Sequence, residues 1–134
     1  FGGQGAAICE VNTDGSDFHY KWMPEVALPD YPTGCILNHA DYAPDGSIVF
    51  ESDCEAEQIW RLTPGEMLPT MVSPTYSNDN SPCVLPDGRI VSLWLDRDGG
   101  PGFHELKIMN PDGSNNIMLL QDADISDYGT VCGG

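Results

Sequence analysis

The nonapeptides Tyr42-Ala43-Pro44-Asp45-Gly46-Ser47-Ile48-Val49-Phe50 and Val84-Leu85-Pro86-Asp87-Gly88-Arg89-Ile90-Val91-Ser92 are two copies of one unit, offset by 42 residues from Pro44 to Pro86. A fixed period of about 40 to 45 residues, long enough for four short strands, is the signature of propeller blades. Proline sets the backbone angle at the first corner of a tight turn, and Asp-Gly tolerates the positive φ that a hairpin requires. Each Pro-Asp-Gly is therefore expected at a hairpin tip. The runs that follow, Ile48-Val49-Phe50 and Ile90-Val91-Ser92-Leu93-Trp94, are short, apolar and bounded by turn residues, and read as inner strands.

A second turn class occurs at Asn12-Thr13-Asp14-Gly15-Ser16 and Asn110-Pro111-Asp112-Gly113-Ser114. It follows the strand-like runs Ala7-Ile8-Cys9-Glu10-Val11 and Glu105-Leu106-Lys107-Ile108-Met109. The offset from Asp14 to Asp112 is 98 residues, two periods of 49. The middle copy falls at 58–66, where Asp-Gly has become Pro64-Gly65 while the order of strand then turn is kept. The spacing predicts that Ile90, Trp94, Val49, Phe50, Ile108 and Leu106 are buried between blade faces.

The stretch SPCVLPDGRIVSLWLDRDGGPGFHELKIMNPDGSNNIMLLQ, Ser81 to Gln121, resembles a TolB-type β-propeller repeat, with the match beginning at Asn78. It is similar to that family's blade in its Asp/Asn-x-x-Pro entry, here Asp79-Asn80-Ser81-Pro82, and in its Pro-Asp-Gly hairpin, hydrophobic strand, charged loop, Leu-Lys-Ile-Met strand and Asp-Gly-Ser turn. The unit from Asn38 to Ser73 matches more loosely. The resemblance implies an all-β chain of about three blade equivalents: a partial blade over 1–33, blades over 34–75 and 76–121, and the opening strand of another over 122–134. Closed propellers have typically 4 to 8 blades, so the arc is expected to be completed by another chain or by missing sequence. Paired copies would give roughly six blades, with the segment from Asp124 at the contact. The family also implies a periplasmic or secreted interaction role.

Hydrophobic residues make up 40% of the chain, enough to build a core. Fifteen glycines and eleven prolines spaced between apolar runs favour turns over long helices. The best helical candidate, 54–62, lies where the repeat phase requires a loop and a strand. No stretch reads as a membrane span. The 21 acidic against 5 basic residues give a net charge of −16. Such a surface repels phosphate, which excludes nucleic acid as a partner class, and it favours cations or basic partners. Solubility and a saline habitat are the simpler account of the charge.

The five cysteines, Cys9, Cys35, Cys54, Cys83 and Cys132, have no Cys-x-x-Cys spacing, and zinc ribbons and iron–sulfur clusters are not indicated. They fit either buried thiols on inner strands or disulfides of undetermined pairing, and an odd number leaves at least one over. Ala6-Ala7-Ile8-Cys9 is not a lipidation site, because Ile8 is too large for the position before a lipidated cysteine.

No nucleophile elbow, zinc-protease motif or phosphate loop is present, and no catalytic residues or resident cofactor are assigned. His19, His39 and His104 are isolated in sequence and read as structural or surface residues, although propeller convergence would allow His39 and His104 to approach one rim. Asp96 and Asp98 lie beside glycines, and Asp122, Asp124 and Asp127 cluster before the last strand. These five are the candidate calcium ligands, with solvated acidic turns as the alternative. The expected role is a non-enzymatic extracytoplasmic module that engages protein or glycan partners and associates with itself. The propeller part of a secreted hydrolase or polysaccharide lyase, and a subunit of an extracellular polymer, are the other readings.

Overall fold

A computed structural model describes residues 6–23, 36–53, 57–74, 78–95 and 104–123. Among them the chain is all-β and contains no helix. Where it turns is decided by five glycines held at positive φ: Gly15, Gly46, Gly65, Gly88 and Gly113, between +82° and +88°. At four of these the same three-residue loop recurs. The glycine amide donates to the carbonyl three residues earlier, as in Gly15 N to Asn12 O at 2.8 Å and Gly88 N to Leu85 O at 2.8 Å. The residue after the glycine closes the loop through its carbonyl, as in Asn12 N to Ser16 O at 2.9 Å. A left-handed residue in that place is the bulge that joins a three-residue turn to antiparallel strands. The aspartate before each glycine accepts the amide two residues on: Ser16 at 2.9 Å, Ser47 at 3.0 Å, Arg89 at 3.1 Å and Ser114 at 3.0 Å. The fifth turn has no such aspartate. There Glu66 N reaches Thr63 O at 3.0 Å, with Pro64 at the first corner and Gly65 at the second, as a type II turn requires.

Among the described residues ten antiparallel strands form three sheets. The first sheet holds β1 (Ile8–Glu10) and β2 (His19–Trp22). The second is a meander of β3 (Leu37–Tyr42), β4 (Ile48–Ser52), β5 (Gln58–Leu62) and β6 (Thr70–Met71). The third repeats it with β7 (Asp79–Val84), β8 (Ile90–Leu95), β9 (His104–Met109) and β10 (Ile117–Ala123). Residues 58–62 are therefore a strand, as the repeat phase requires, while 54–56 lie outside the described residues.

Successive side chains of a strand point to opposite faces, so one sheet can build two cores. Ile48, Phe50 and Leu62 on one face of the second sheet meet Ile8 and Trp22 of the first, with Trp22 and Phe50 ring centroids 5.6 Å apart. Val49, Ile59 and Val72 on the other face meet Ile90 and Met109 of the third. All five residues of β4 are buried. The expected alternation of buried and exposed residues is replaced there by continuous burial, because β4 is covered on both sides. Ile90, Val49, Phe50 and Ile108 are buried as the spacing predicts; Trp94 and Leu106 are only half-buried. For Trp94 the reason is local, since Lys107 Nζ, 4.6 Å from its ring centroid, lies over it in place of another apolar layer.

The repeat extends to the backbone. His39 (φ 49°) and Ser81 (φ 48°), 42 residues apart, sit where the β3–β4 and β7–β8 registers each slip by one residue. Two contacts tie the turn ends of the second and third sheets. Arg61 donates to the Asp45 carboxylate and, at 2.9 Å, to the Pro111 carbonyl. Gly113 lies so close to the second sheet that a Cβ there would stand 1.9 Å from Val72 O.

Gly113→Ala should therefore combine left-handed strain with a backbone collision and cost about 3–5 kcal/mol. Gly15→Ala, with open space around it, should cost only about 1–2 kcal/mol of strain. Urea denaturation of the two variants tests the difference, and equal losses would remove the collision. The turn aspartates carry a pH signature. Asp14 and Asp112 are held below the usual carboxylate range chiefly by their Ser16 and Ser114 hydroxyls, and Asp87 chiefly by the Arg89 amide. A depressed folded-state pKa adds stability that is present above the unfolded value and lost as pH falls through the folded one. The triple variant Asp14→Asn, Asp87→Asn, Asp112→Asn keeps the acceptor oxygens without the titration. Its stability should fall less steeply than the wild type's below about pH 4; parallel acid-denaturation curves would contradict this.

Candidate functional site

The polar chemistry of the fold gathers where the second sheet meets β7. In a two-core stack the first strand of a sheet has one edge free of ladder partners, and its amides need acceptors from elsewhere. Three carboxylates of the second sheet supply them. Val84 N donates to Asp41 Oδ2 at 2.8 Å, Ser81 N to Glu51 Oε2 at 2.9 Å, and Asn80 Nδ2 to Glu57 Oε2 at 3.1 Å. Glu51 Oε2 also lies 3.0 Å from His39 Nδ1. The Glu51 side chain is 8% exposed and the His39 side chain 42%. A buried acid thus fixes the orientation of a half-exposed imidazole. His39 and Ser81 meet the same Glu51 oxygen from the two matching bulges.

Further along β7, Asp79 is fully buried and faces Trp94 in the β7–β8 register. Its Oδ1 lies 3.3 Å from Lys107 Nζ, whose side chain is only 13% exposed. A buried carboxylate needs such a counter-ion. At the other end of the stack Glu10 joins the first two sheets. Its carboxyl is held below its usual range by the Lys21 ammonium, at 2.9 Å, and then by the Tyr42 hydroxyl. Partial burial, followed by Glu10, pushes the Tyr42 hydroxyl up. A small open pocket of about 190 Å³ beside Lys21 is lined by Ile48, Leu62 and the Thr63–Glu66 turn.

Of the histidines, His19 opens β2, 3.3 Å from Glu10, and His104 opens β9, paired with Leu95 and Ala123. The structure brings His39 to Glu51; the side chain of His104 is not among those described. Asp96, Asp98, Asp124 and Asp127 lie outside the described residues, and Asp122 is on β10 with its side chain undescribed. Among the described residues no group of three or more His, Cys, Asp or Glu side chains could hold a metal ion. Cys83 is disulfide-bonded and Cys9 is a free, exposed thiol. Cys35, Cys54 and Cys132 fall outside the described residues. No described helix is long and apolar enough to cross a membrane.

Sequence reasoning passed over Asp41, Glu51 and Glu57, which build this seam, and the Asp79–Lys107 pair inside the third sheet. Their signal was present as charged residues within or beside strands that otherwise read apolar. The described basic side chains are all spent inside the molecule: Lys21 on Glu10, Arg61 on Asp45, Arg89 on Asp87 and Lys107 on Asp79. No family model matches the chain, and no curated protein shows significant sequence similarity to it.

Glu51→Leu should leave the Ser81 amide and the His39 ring without their acceptor and cost about 2–4 kcal/mol. Glu51→Gln keeps an acceptor oxygen and should cost about 1 kcal/mol. Chemical denaturation distinguishes them, and a neutral Glu51→Leu would show that the seam contributes nothing to stability.

Proposed function

We propose that the chain is a run of blades of a TolB-type β-propeller and serves outside the cytoplasm as a non-enzymatic binding or assembly module for a protein or glycan. One observation carries the reading. Successive antiparallel meanders stack face to face in the phase of the sequence repeat, with the same glycine turns and the same left-handed bulge residues at His39 and Ser81. Stacked four-stranded meanders are the construction unit of propellers. The disulfide at Cys83 fits an oxidising compartment. Among the described residues no metal-holding group lies at the His39–Glu51 pair, and Glu51 ties the Ser81 amide of the third sheet to the second. Because the described cations are paired internally, the surface favours a partner that brings basic groups of its own.

The test is a binding survey of the purified chain on a glycan array and against a panel of basic and acidic proteins. Saturable retention of a glycan or a basic protein, with no sugar or peptide products released, is the expected result. For a basic protein, retention should weaken as salt rises from about 0.05 to about 0.3 M. Release of products would move the chain to the hydrolase or lyase reading. Failure to retain any member of either panel would remove the binding reading.

A further inference from the structure

The three sheets end in outer strands of very different character. The outer edge of the first is β2, His-Tyr-Lys-Trp, which carries a charged lysine. The outer edge of the second is β6, two residues long and preceded by Pro69. Short length, charge and proline are the usual means of keeping an edge strand from pairing with another chain. The outer edge of the third, β10, is long and has no proline, and its one charged residue, Asp122, stands near its end. It is seven residues long, Ile-Met-Leu-Leu-Gln-Asp-Ala, and no charge or proline occurs from Ser114 to Gln121. Ile117 is 57% exposed, Met118 37% and Leu119 47%. Consecutive residues of a strand lie on opposite faces, so among the described residues both faces of β10 are exposed at 117–119. Register slips against β9, between Met118 and Leu120 and again between Leu120 and Ala123, put more residues on β10 than β9 pairs. Part of the β10 backbone is thereby left without a ladder partner on that side.

We propose that the outer edge of β10 is a self-association surface that takes the β10 of a second copy in antiparallel pairing, continuing the third sheet across a two-fold axis. The charge pattern selects a second copy over a basic partner. The uncharged stretch from Ser114 to Gln121 offers a basic segment no ion pair, whereas for a chain of net charge −16 it is a place where two copies touch without opposing carboxylates. In antiparallel pairing centred on Leu119, each Asp122 stands across from Asn116 of the second copy. The proposal does not depend on the propeller reading, since it needs only the third sheet and its edge.

Sedimentation velocity on the intact chain, with the Cys9 thiol blocked by iodoacetamide, tests it. A reversible dimer is expected, and it should tighten as salt rises from about 0.05 to about 0.3 M, because screening reduces repulsion between like-charged copies. Ile117→Lys with Leu119→Lys should weaken it by about tenfold or more. A wild-type chain that stays monomeric overturns the proposal, as does a dimer that the double variant leaves intact. Association that weakens with salt also overturns it, because that is the behaviour of a surface seeking a basic partner. If the double variant does not fold, hydrogen exchange of the wild type decides: amides of 117–121 should be protected more at high than at low protein concentration, and equal protection counts against it.

Discussion

A sheet that is apolar on both faces has to be covered twice, and the rest of this structure depends on how the second sheet meets that requirement. Its residues at Ile48, Phe50 and Leu62 take the first sheet, and those at Val49, Ile59 and Val72 take the third. Burying a side chain such as Phe50 or Ile59 is worth about 1.5–3 kcal/mol relative to leaving it in water, so an uncovered face would forfeit several such terms. The stacking of sheets follows from this two-sided demand, and the turn glycines make it geometrically reachable. Gly113 in particular permits the backbone of the third sheet's turn to approach Val72 of the second at a distance no side chain would allow.

Close stacking brings polar backbone into dry surroundings, where an unpaired amide is costly. The second sheet answers with Asp41, Glu51 and Glu57, each accepting a donor from β7. Within the third sheet Lys107 meets the buried Asp79, and Arg61 clamps the turn ends of the second and third sheets. Apolar packing supplies the bulk of the attraction between the sheets. The carboxylate contacts fix their register, because each carboxylate reaches one donor on β7 and a shift along the strand would strand both.

This internal use of charge shapes the exterior. With the described lysines and arginines engaged on nearby or buried carboxylates, the surface field comes from the remaining acids. Such a field keeps copies apart in solution and draws in cationic groups. Contact between copies is then confined to uncharged stretches of surface. The stretch from Ser114 to Gln121 on the outer edge of the third sheet is one of these, on a strand that is longer than the other two outer strands and has no proline.

The sequence by itself determined the turns and the strands between them. Pro-Asp-Gly and Asn-x-Asp-Gly-Ser act through φ angles and bonds within five residues, so their meaning is local, and even the altered Pro64-Gly65 keeps its place in the repeat. The partners of charged residues were not legible. Glu51 looks like an acid at the end of an apolar strand until the stacking of two sheets brings the Ser81 amide, 30 residues away, to its oxygen. The same is true of Arg61 and the Pro111 carbonyl, 50 residues apart. Burial of Trp94 was overestimated for the same reason, since what covers its ring is Lys107, a residue of another strand. Local backbone preference is written in neighbouring residues. The environment of a charge is set by whichever strand the fold lays against it, and only the tertiary structure decides that.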